Sequence, residues 1–411
     1  MMYDAVIIGG GAAGLAAGCA LSEAGRRTVI LEKQSRVGRK LLSTGNGRCN
    51  LTNLSAAPEN YHGARAAAAK ALSLCPPEQV VAFFEGLGVP CVADEEKRVY
   101  PMSNQAASVL DALQLYAAEH GCEIVTDCAV ERLSKEKNGF RALSADGRAW
   151  TGRKALVCAG GLAAPKLGAC GDGYRLLEAL GHRSNARFPA IAALKTPPEA
   201  VRALKGQRAE CTITLLADGR GLRTERGEAL FSENGVSGIA AMQLVRHCTT
   251  AMRAGKKCAV RIDFLPGADD AFERLCDRAE RLNRRAMDDF LNGIVSKRIG
   301  QTLVKAAGIE PLSRPAESLT SRELRRLSEV LTGWTIPVTG VQGFEQAQVT
   351  AGGIVLEDFD WSTMESKRVP GLYAAGEVLD VDGDCGGFNL QWAWSSALIA
   401  ARSMMRRSIN L

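Results

Sequence analysis

Short apolar runs and a stretch of small residues alternate at the start of the chain and predict one strand–turn–helix–strand unit. Residues 3–8 form a β-branched run, and a glycine-rich stretch at 9–14 follows it. Residues 16–24 have helical spacing, and Thr28–Leu31 is the next predicted strand. Because crossovers between parallel strands are right-handed, this order predicts a βαβ unit.

Helices and short strands continue to about residue 160. Helical apolar spacing covers 77–88 and 103–121, and the second stretch ends at Gly121, which suits a helix C-cap. Apolar or alternating runs separated by glycine and aspartate turns predict further strands. These strands are 123–125, 129–133, 140–143 and 155–159.

The pattern changes near residue 188, where prolines become frequent. Residues 210–216 and 258–264 predict strands of an antiparallel unit, and residues 269–331 have helical spacing. The predicted apolar stripe of that helical stretch is Leu275, Ala279, Leu282, Ala286 and Phe290. After Thr339 the chain returns to short strands, and a helix is predicted from about 389 to 405.

These changes predict a discontinuous α/β domain interrupted by an insertion. Residues 1–188 and 346–411 form its two parts, residues 189–267 with 335–345 form a β-barrel-like domain, and residues 268–334 form a helical subdomain. A chain of 411 residues is long enough for two or three such domains.

Composition is ordinary for a globular enzyme, with 46% apolar and 23% charged residues. The net charge of +6 is mild, and the most basic stretch, residues 273–326, interleaves both signs. Such a pattern indicates a solvated helical face, so we expect a small-molecule substrate and no nucleic-acid partner. The pattern does not fix an oligomeric state.

Cysteine usage and hydropathy point to the cytoplasm. The chain has 13 cysteines, an odd number, without C-x-x-C spacing, which is typical of reduced, mostly buried thiols. The early apolar run contains a glycine triplet and lacks preceding basic residues, so it does not resemble a signal peptide. No apolar stretch reaches the roughly 20 residues of a membrane span.

The strongest local motif is the glycine turn Gly9-Gly10-Gly11-Ala12-Ala13-Gly14 between a strand and a helix. Its glycines permit the tight turn, close approach to a pyrophosphate and packing of the helix on the strand. Glu32 ends the second strand, where its carboxylate suits a ribose 2′-hydroxyl and would repel a 2′-phosphate. The motif predicts a dinucleotide and leaves FAD and NAD open.

Three further segments favour FAD. The stretch 37–53 is rich in Gly, Asn and Arg and can wrap a polar cofactor tail. The predicted strand at 154–161 ends in small residues, which leave room for a ligand at the switch point of the sheet. The stretch 369–391 joins a strand, an acid and a Gly-Gly turn that opens a helix, whose N-terminus can face the flavin and stabilise its anionic reduced form.

With these motifs the chain resembles the aminoacetone-oxidase-like family of bacterial FAD flavoproteins, also described as NAD(P)/FAD-dependent oxidoreductases. The resemblance runs nearly end to end. Besides the opening glycine turn, it rests on Gly38–Lys40, Gly47–Asn50, Tyr100-Pro101, Gly235–Gly238, Thr350–Gly353, Ala375–Asp380 and Gly387–Trp394. One departure is Phe388, where relatives often have Tyr, so a proton step that depends on that hydroxyl is in doubt.

The resemblance implies a Rossmann-type, glutathione-reductase-like FAD domain with a β-barrel-like insertion and a helical subdomain. Together with the motifs, it predicts the cofactor contacts. They are Gly9, Gly11, Ala12, Ala13, Gly14, Glu32, Lys33, Gly38, Arg39, Lys40, Asn46, Gly47, Val130, Ala159, Gly160, Gly161, Gly376, Glu377, Asp380, Gly386, Gly387, Phe388, Asn389 and Leu390. The FAD would be non-covalent, since neither His62 nor Cys49 stands in an attachment pattern.

The resemblance also implies flavin hydride chemistry. We expect an FAD-dependent oxidoreductase acting on a carbonyl or enone substrate, as in steroid or bile-acid enone reductases, with NAD(P)H as a transient reductant. The alternatives are an oxygen-dependent oxidase of small amines or aminoketones and an FAD-dependent RNA-modifying protein.

No pattern identifies a catalytic acid or base. The candidates are Arg48 and Asn50 in the stretch 37–53, and Phe388 and Asn389 in the stretch 369–391. None of the four histidines has metal or triad spacing, so no metal is expected.

Overall fold

The predicted βαβ unit forms at the start of the chain and continues into a larger α/β assembly. The structure, a computed structural model, describes residues 2–406. Its helices are α1 (Ala12–Glu23), α2 (Arg39–Ser43), α3 (Arg65–Leu74), α4 (Pro77–Gly86), α5 (Ala106–Glu119), α6 (Asp172–Ala179), α7 (Pro198–Val201), α8 (Ile239–Arg253), α9 (Ala271–Arg281), α10 (Lys297–Ala306), α11 (Ser321–Gly333) and α12 (Phe388–Met405).

The strands are short, and most lie where β-branched or alternating residues predict them. They are β1 (Met2–Ile8), β2 (Thr28–Leu31), β3 (Thr52–Asn53), β4 (Tyr61–Gly63), β5 (Cys91–Ala93), β6 (Arg98–Pro101), β7 (Glu123–Val125), β8 (Val130–Glu136), β9 (Gly139–Ser144), β10 (Ala149–Val157), β11 (Phe188–Ala190), β12 (Leu194–Lys195), β13 (Arg208–Ala217), β14 (Arg220–Phe231), β15 (Gly235–Ser237), β16 (Cys258–Asp263), β17 (Trp334–Val338), β18 (Gly340–Val341), β19 (Val349–Ala351), β20 (Phe359–Asp360), β21 (Glu365–Ser366), β22 (Leu372–Ala374) and β23 (Val381–Gly383).

The chain divides into two compact units, Met1–Phe188 with Gln348–Leu411 and Pro189–Ala347. We call them unit 1 and unit 2. Unit 1 is built on a sheet whose central strands run in the order β7-β2-β1-β10-β22 and are all parallel. The central strands are buried along their length, as parallel strands covered on both faces must be. The predicted Rossmann-type α/β fold is confirmed.

Helices α1 and α12 pack against each other within unit 1. The small residues of α1 allow this close approach, since most of its side chains are alanine, glycine or serine. Of the 18 residues of α12, 14 are buried, including Trp392 and Trp394. The C-terminal helix is therefore a central element of the unit, not a surface one.

Unit 2 contains an antiparallel sheet in the order β17-β16-β13-β14-β15-β12-β18. Helix α8 packs on β14 and β13. Helices α9, α10 and α11 bury one apolar face each, which includes Leu275, Leu303 and Leu327.

The predicted helical stripe from Leu275 to Phe290 is wrong beyond Arg281. Helix α9 ends there, Ala286 forms an isolated antiparallel β-bridge with Pro315, and Phe290 lies in a turn. The Arg278 side chain helps to account for the end of the helix. Its guanidinium donates to the carbonyl oxygens of Phe290 and Asn292, both at 2.6 Å. These carbonyls are thus satisfied by a side chain and not by a continuing helix.

Between residues 2 and 406, no helix has both the length and the apolar composition needed to cross a bilayer. The same part of the chain holds no group of three His, Cys, Asp or Glu side chains arranged to bind a metal ion. All 13 cysteines are free thiols.

Candidate functional site

The glycine turn after β1 is shaped by two close approaches, at Gly9 and Gly14. Gly9 has φ of 107°, and a Cβ there would lie 2.6 Å from the Cys158 carbonyl oxygen. A Cβ on Gly14 would overlap the Gly9 carbonyl, because α1 starts directly on the turn. Gly11 differs, since a Cβ there would meet open space. The backbone at Gly11 is therefore free to approach a ligand.

Helix α1 begins at this turn without a side-chain cap, and its first turn holds no acidic residue. Its N-terminal N–H groups and positive dipole end therefore remain suited to an anion such as a pyrophosphate.

The Glu32 carboxylate, directly after strand β2, stabilises the glycine turn through two hydrogen bonds. One oxygen accepts the Gly10 N–H at 2.8 Å, and the other accepts the Gln34 N–H at 2.8 Å. Each carboxylate oxygen can accept a second hydrogen bond, so this role is compatible with ribose recognition. Lys33 points to a different group and pairs with Asp172 at 2.9 Å and with Cys170.

Val130, one of the predicted cofactor contacts, begins β8 close to Glu32 in the fold. The segment before it is tied to this strand end, since the Cys128 N–H donates to the Glu32 carbonyl at 2.9 Å. The Val130 carbonyl accepts from Arg175 at 3.2 Å. The structure therefore brings Val130 towards the glycine turn.

The stretch 38–50 leads from the glycine turn to the other half of the site. Gly38 starts α2 in the left-handed region, and the Gly38 N–H donates to the Gly10 carbonyl at 2.8 Å. Arg39 donates to the Gln34 side chain. Lys40 forms an ion pair with Glu377 at 2.5 Å, which links residues 337 positions apart.

The same stretch contains an unusual backbone. Gly45, Asn46, Gly47 and Cys49 all have positive φ, and Asn46 and Cys49 adopt it without being glycine. Asparagine adopts the left-handed region more readily than most residues, whereas the Cβ of Cys49 is strained there. Gly47 has no steric neighbour at a Cβ position, whereas Gly45 lies against the Asn50 N–H.

The segment after β10 packs on Glu377. A Cβ on Gly161 would lie 2.5 Å from the Thr350 hydroxyl and 2.7 Å from a Glu377 carboxylate oxygen. Glu377 also accepts the Thr350 N–H at 2.9 Å. Ala159 and Gly160 precede this contact, and Gly160 has φ of 72°. Thr350 was not among the predicted site residues, although it stands in a motif that carried the resemblance.

The segment after β22 approaches helix α1 directly. A Cβ on Gly376 would lie 3.2 Å from the Ala13 Cβ. The Gly376 N–H donates to Ser396 at 2.9 Å, and the Trp392 indole donates to the Gly376 carbonyl at 3.1 Å. Asp380 is buried, and its carboxylate accepts from Asn185 at 2.6 Å.

Helix α12 also starts without a side-chain cap or an acidic residue in its first turn. Gly386 and Gly387 both have positive φ, and the Gly386 carbonyl accepts from the Asn53 side chain at 3.1 Å. With the Asn50 amide turned to its satisfied orientation, Asn50 accepts from the Gly387 N–H at 3.2 Å. Strand β3 therefore supports the start of α12.

The catalytic candidates occupy different environments. The Asn389 side-chain amide accepts the Gly383 N–H and donates to the Gly383 carbonyl, both at 2.8 Å. The buried Phe388 ring lies edge-on to the Tyr61 ring. Asn50 supports Gly387, whereas Arg48 is exposed and stacks its guanidinium 4.7 Å above the Tyr100 ring. Leu390 follows on α12 and is partly buried.

Sequence reasoning missed Tyr61, whose hydroxyl donates to the Phe388 carbonyl at 3.1 Å. No motif marks it. His62 beside it pairs with Asp384 at 2.9 Å. Burial raises the pKa of the Cys49 thiol to about 12 and also raises the pKa of Cys158, so neither thiol is a ready nucleophile.

Two distant stretches of unit 1 thus converge. The glycine turn with Lys40 and Asn50, and the stretch 376–390, contact each other through Ala13, Glu377 and Gly387. A dinucleotide fits this arrangement, because the open space at Gly11 and two uncapped helix N-termini provide a backbone cradle for phosphates and for an electron-rich ring edge.

The sequence profile of the family described as HI0933-like protein Rossmann domain matches residues 3–403. Among curated proteins, the chain is 33% identical to a 3-dehydro-bile acid delta(4,6)-reductase of Clostridium scindens, over 98% of both chains. It is 30% identical to a ribosomal RNA dihydrouridine synthase of Escherichia coli, again over 98% of both chains.

Solved structures share the fold at low sequence identity. The 3-ketosteroid delta1-dehydrogenase of Sterolibacterium denitrificans matches with a TM-score of 0.55 and 13% identity, over 98% of this chain and 99% of that one. The 3-ketosteroid-delta4-(5alpha)-dehydrogenase of Rhodococcus jostii matches with a TM-score of 0.51 and 15% identity, over 99% and 97%.

Proposed function

The chain belongs to the family of HI0933-like Rossmann proteins, and from this premise we propose that it is an FAD-dependent oxidoreductase that reduces a carbon–carbon double bond conjugated to a carbonyl group. The observation that carries the proposal is the convergence of two uncapped helix N-termini, those of α1 and α12, on one glycine-lined site. One end suits a pyrophosphate, and the other suits the pyrimidine edge of a flavin.

The names of two relatives describe one type of chemistry. A 3-dehydro-bile acid with a delta-4 double bond is a ketone conjugated to an alkene. Dihydrouridine is uridine with two hydrogens added to a double bond that is conjugated to a ring carbonyl. Both reactions add a hydride and a proton across an activated double bond, and a reduced flavin supplies such a hydride when bound.

The residues of this chain would have three tasks. The N–H groups at Gly11 to Ala13 would bind the pyrophosphate, and Glu32 would accept a ribose hydroxyl. Lys40, Glu377 and Asp380 would hold the middle of the cofactor by hydrogen bonds. The start of α12, held by Asn50 and Asn53, would stabilise negative charge at the flavin through its N–H groups. These contacts are non-covalent.

NAD(P)H is the proposed reductant of the flavin. The sequence contains no second glycine turn of the Rossmann type after a strand, so we expect the nicotinamide to bind transiently and leave before the substrate enters. Steady-state kinetics should then be ping-pong. A required ternary complex would contradict this part of the proposal.

For the substrate we propose a steroid or bile-acid enone. The test is anaerobic reduction of the purified yellow protein with NADH or NADPH, followed by mixing with a 3-keto-Δ4 steroid, a bile-acid enone or air while flavin absorbance is recorded. Fast reoxidation by an enone and slow reoxidation by oxygen is the expected result. Fast reoxidation by oxygen alone would instead favour an oxidase of small aminoketones, and a protein that does not bind FAD would refute the proposal.

A second candidate substrate is a uridine of ribosomal RNA. One observation favours it, the 30% identity to the Escherichia coli synthase over 98% of both chains. The expectation of a protein without a nucleic-acid partner is therefore open to test. Binding of an rRNA fragment that weakens steeply with salt, followed by detection of dihydrouridine, would support this candidate.

A further inference from the structure

A small three-stranded sheet lies beside the start of α12 and rests on it through strand β3. The Asn53 side chain donates to the Gly386 carbonyl at 3.1 Å, and Asn53 pairs with Arg98 of the next strand, β6. Strand β5 pairs with the other edge of β6. Neighbouring strands are about 5 Å apart, so β6 runs one strand spacing from the residues that touch the Gly386 turn.

Two arginines lie near Tyr100 on β6. The Arg48 guanidinium stacks 4.7 Å above its ring, and Arg98 precedes it by two residues, on the same face of the strand. Arg98 is paired with Asp94 at 2.7 Å and with Glu96 at 2.9 Å. Arg48 forms no ion pair within residues 2–406, so it is the cation available beside this ring.

The Tyr100 hydroxyl has no hydrogen-bond partner anywhere in residues 2–406. The ring itself is only 9% exposed, so its position is fixed by packing while its donor is unused. A fixed phenol with an unused donor beside the Arg48 guanidinium suits an oxygen atom that gains negative charge.

Uncovered apolar side chains surround this phenol. Val92 pairs with Tyr100 across the sheet and is 49% exposed, and Met102, two residues beyond Tyr100, is 65% exposed. Large apolar side chains this exposed are few in the described part of the chain, and these two stand beside the same tyrosine. They provide a surface for a hydrocarbon skeleton next to a binding point for its oxygen.

Resting on the proposed function, we infer that Tyr100 and Arg48 bind the carbonyl oxygen of the conjugated substrate, that Tyr100 supplies a proton to this oxygen, and that Val92 and Met102 contact the hydrocarbon rings of the substrate. A reduced flavin, when bound, would supply the hydride that bonds to the β-carbon, and the electrons of the double bond would move to the carbonyl oxygen, where Tyr100 and Arg48 would hold the resulting enolate. The Tyr100 proton would then pass to the enolate oxygen; as the α-carbon takes a proton from water, the oxygen would return its proton to the Tyr100 phenolate, which restores the carbonyl and leaves a carbon–carbon single bond.

The first experiment uses the holoenzyme with Tyr100→Phe and Arg48→Met, and Tyr116→Phe on α5 as the matched control. Binding of a saturated 3-ketosteroid to the oxidised protein is measured by titration, and reoxidation of the reduced protein by the enone is measured by stopped flow. We expect about tenfold weaker binding for both site variants. We also expect reoxidation about 100-fold slower in Tyr100→Phe.

FAD content and anaerobic reduction should remain at wild-type values in these variants, which excludes a folding effect. A solvent isotope effect on reoxidation should change in Tyr100→Phe, a readout that a packing role would not alter. Binding and reoxidation within twofold of wild type in Tyr100→Phe would overturn the inference.

The second experiment separates the apolar surface from the oxygen contact. The variant Val92→Ser/Met102→Ser should weaken binding of a four-ring enone about tenfold and leave cyclohexenone unchanged, because only the larger molecule reaches these side chains. Leu115→Ser, an equally exposed position on α5, is the control. An equal effect on both enones, or none on the larger one, would contradict this part.

The two levels of proposal fail differently. A wild-type enzyme that holds reducible FAD but reacts with no enone refutes the proposed function. A wild-type enzyme that reacts with enones while the Tyr100 and Arg48 variants do so equally well refutes only the inference.

Discussion

Unit 1 and unit 2 use their helices in opposite ways. In unit 1, α1 and α12 are buried on nearly all sides, with 9 of 12 and 14 of 18 residues inside. In unit 2, α9 and α11 bury 3 of 11 and 4 of 13 residues and carry charges elsewhere. Unit 2 has a net charge of +5, against +1 for unit 1.

This difference separates two kinds of constraint. Backbone contacts around Gly9, Gly14 and Gly376 leave no room for a methyl group, so substitutions there act through packing. Helices α9 and α11 of unit 2 leave most of their positions partly or fully exposed, so substitutions there act on surface charge and not on packing. Cofactor binding should therefore respond to substitutions in unit 1 and not to surface substitutions in unit 2.

The largest expected effect distinguishes two glycines of unit 1, Gly14 and Gly11. Gly14→Ala places a methyl group on the Gly9 carbonyl and should destabilise the protein by about 1–3 kcal/mol, with loss of FAD. Gly11→Ala meets open space at an ordinary φ of −83°, so the apoprotein should keep its Tm while FAD affinity falls roughly tenfold or more. Thermal unfolding of both apoproteins and FAD titrations measure this. Wild-type FAD affinity in Gly11→Ala would mean that no pyrophosphate lies at this turn.

The next effect concerns acid stability within unit 1. Burial works to raise the pKa of Asp358, but hydrogen bonds from Arg183 and Arg368 outweigh it and lower this pKa to about 2. The stabilisation is complete above the unfolded-state pKa near 3.8 and is lost as the pH falls towards 2. Asp358→Asn should cost roughly 1 kcal/mol at pH 7, since the exposed Arg183 is screened by solvent.

Denaturant unfolding of wild type and Asp358→Asn at several pH values tests the sign. The difference between the two proteins should shrink as the pH falls from 4 to 2. A difference that is constant over this range would show that the carboxylate charge is not responsible.

A comparison of ion pairs sharpens the contrast between units. A double-mutant cycle on Lys40 and Glu377 should give a coupling of about 1 kcal/mol and weaken FAD binding several-fold, because the pair is partly buried between the two halves of the site. The control pair in unit 2, Arg208 and Glu228, is more exposed and should give a coupling near zero with unchanged FAD affinity. Equal coupling energies in both cycles would show that the ion pairs of the two units do not differ in strength.

The smallest expected effect is on the stability of helix α11 in unit 2. Thr320 caps α11 by accepting the Glu323 N–H with its hydroxyl, and the Glu323 carboxylate accepts the Thr320 N–H at 2.9 Å. Thr320→Ala should destabilise α11 by on the order of 0.5–1 kcal/mol. Hydrogen exchange should show faster opening of α11, while FAD affinity is unchanged. A loss of flavin would contradict the separation of the two units.

Much of unit 1 could be predicted, because glycine turns and apolar runs are local signals. The glycine turn follows its strand as predicted, and β2 and β7 match their predicted bounds. The start of α12 was placed within one residue, since a Gly-Gly turn precedes it. The assignment of individual cofactor contacts remains a prediction.

Other parts depend on contacts that the local sequence does not reveal. Helix α3 was missed, and the path after Arg281 was predicted wrongly because the Arg278 side chain satisfies two carbonyls from a later segment. Tyr61 and Asn185 join the site only through the fold, since each bonds to residues almost 200 or more positions away. Helical spacing alone cannot detect such long-range partners.

The order in which the site is completed has a consequence for synthesis. Residues 9–50 are synthesised before unit 2, whereas Glu377, Gly387 and α12 are synthesised after the whole of unit 2. A nascent chain that has reached only residue 370 exposes the apolar surfaces of α1 and β1 that α12 later covers. Premature termination before this helix should therefore yield aggregation-prone fragments, which cellular proteases can remove before they capture any flavin.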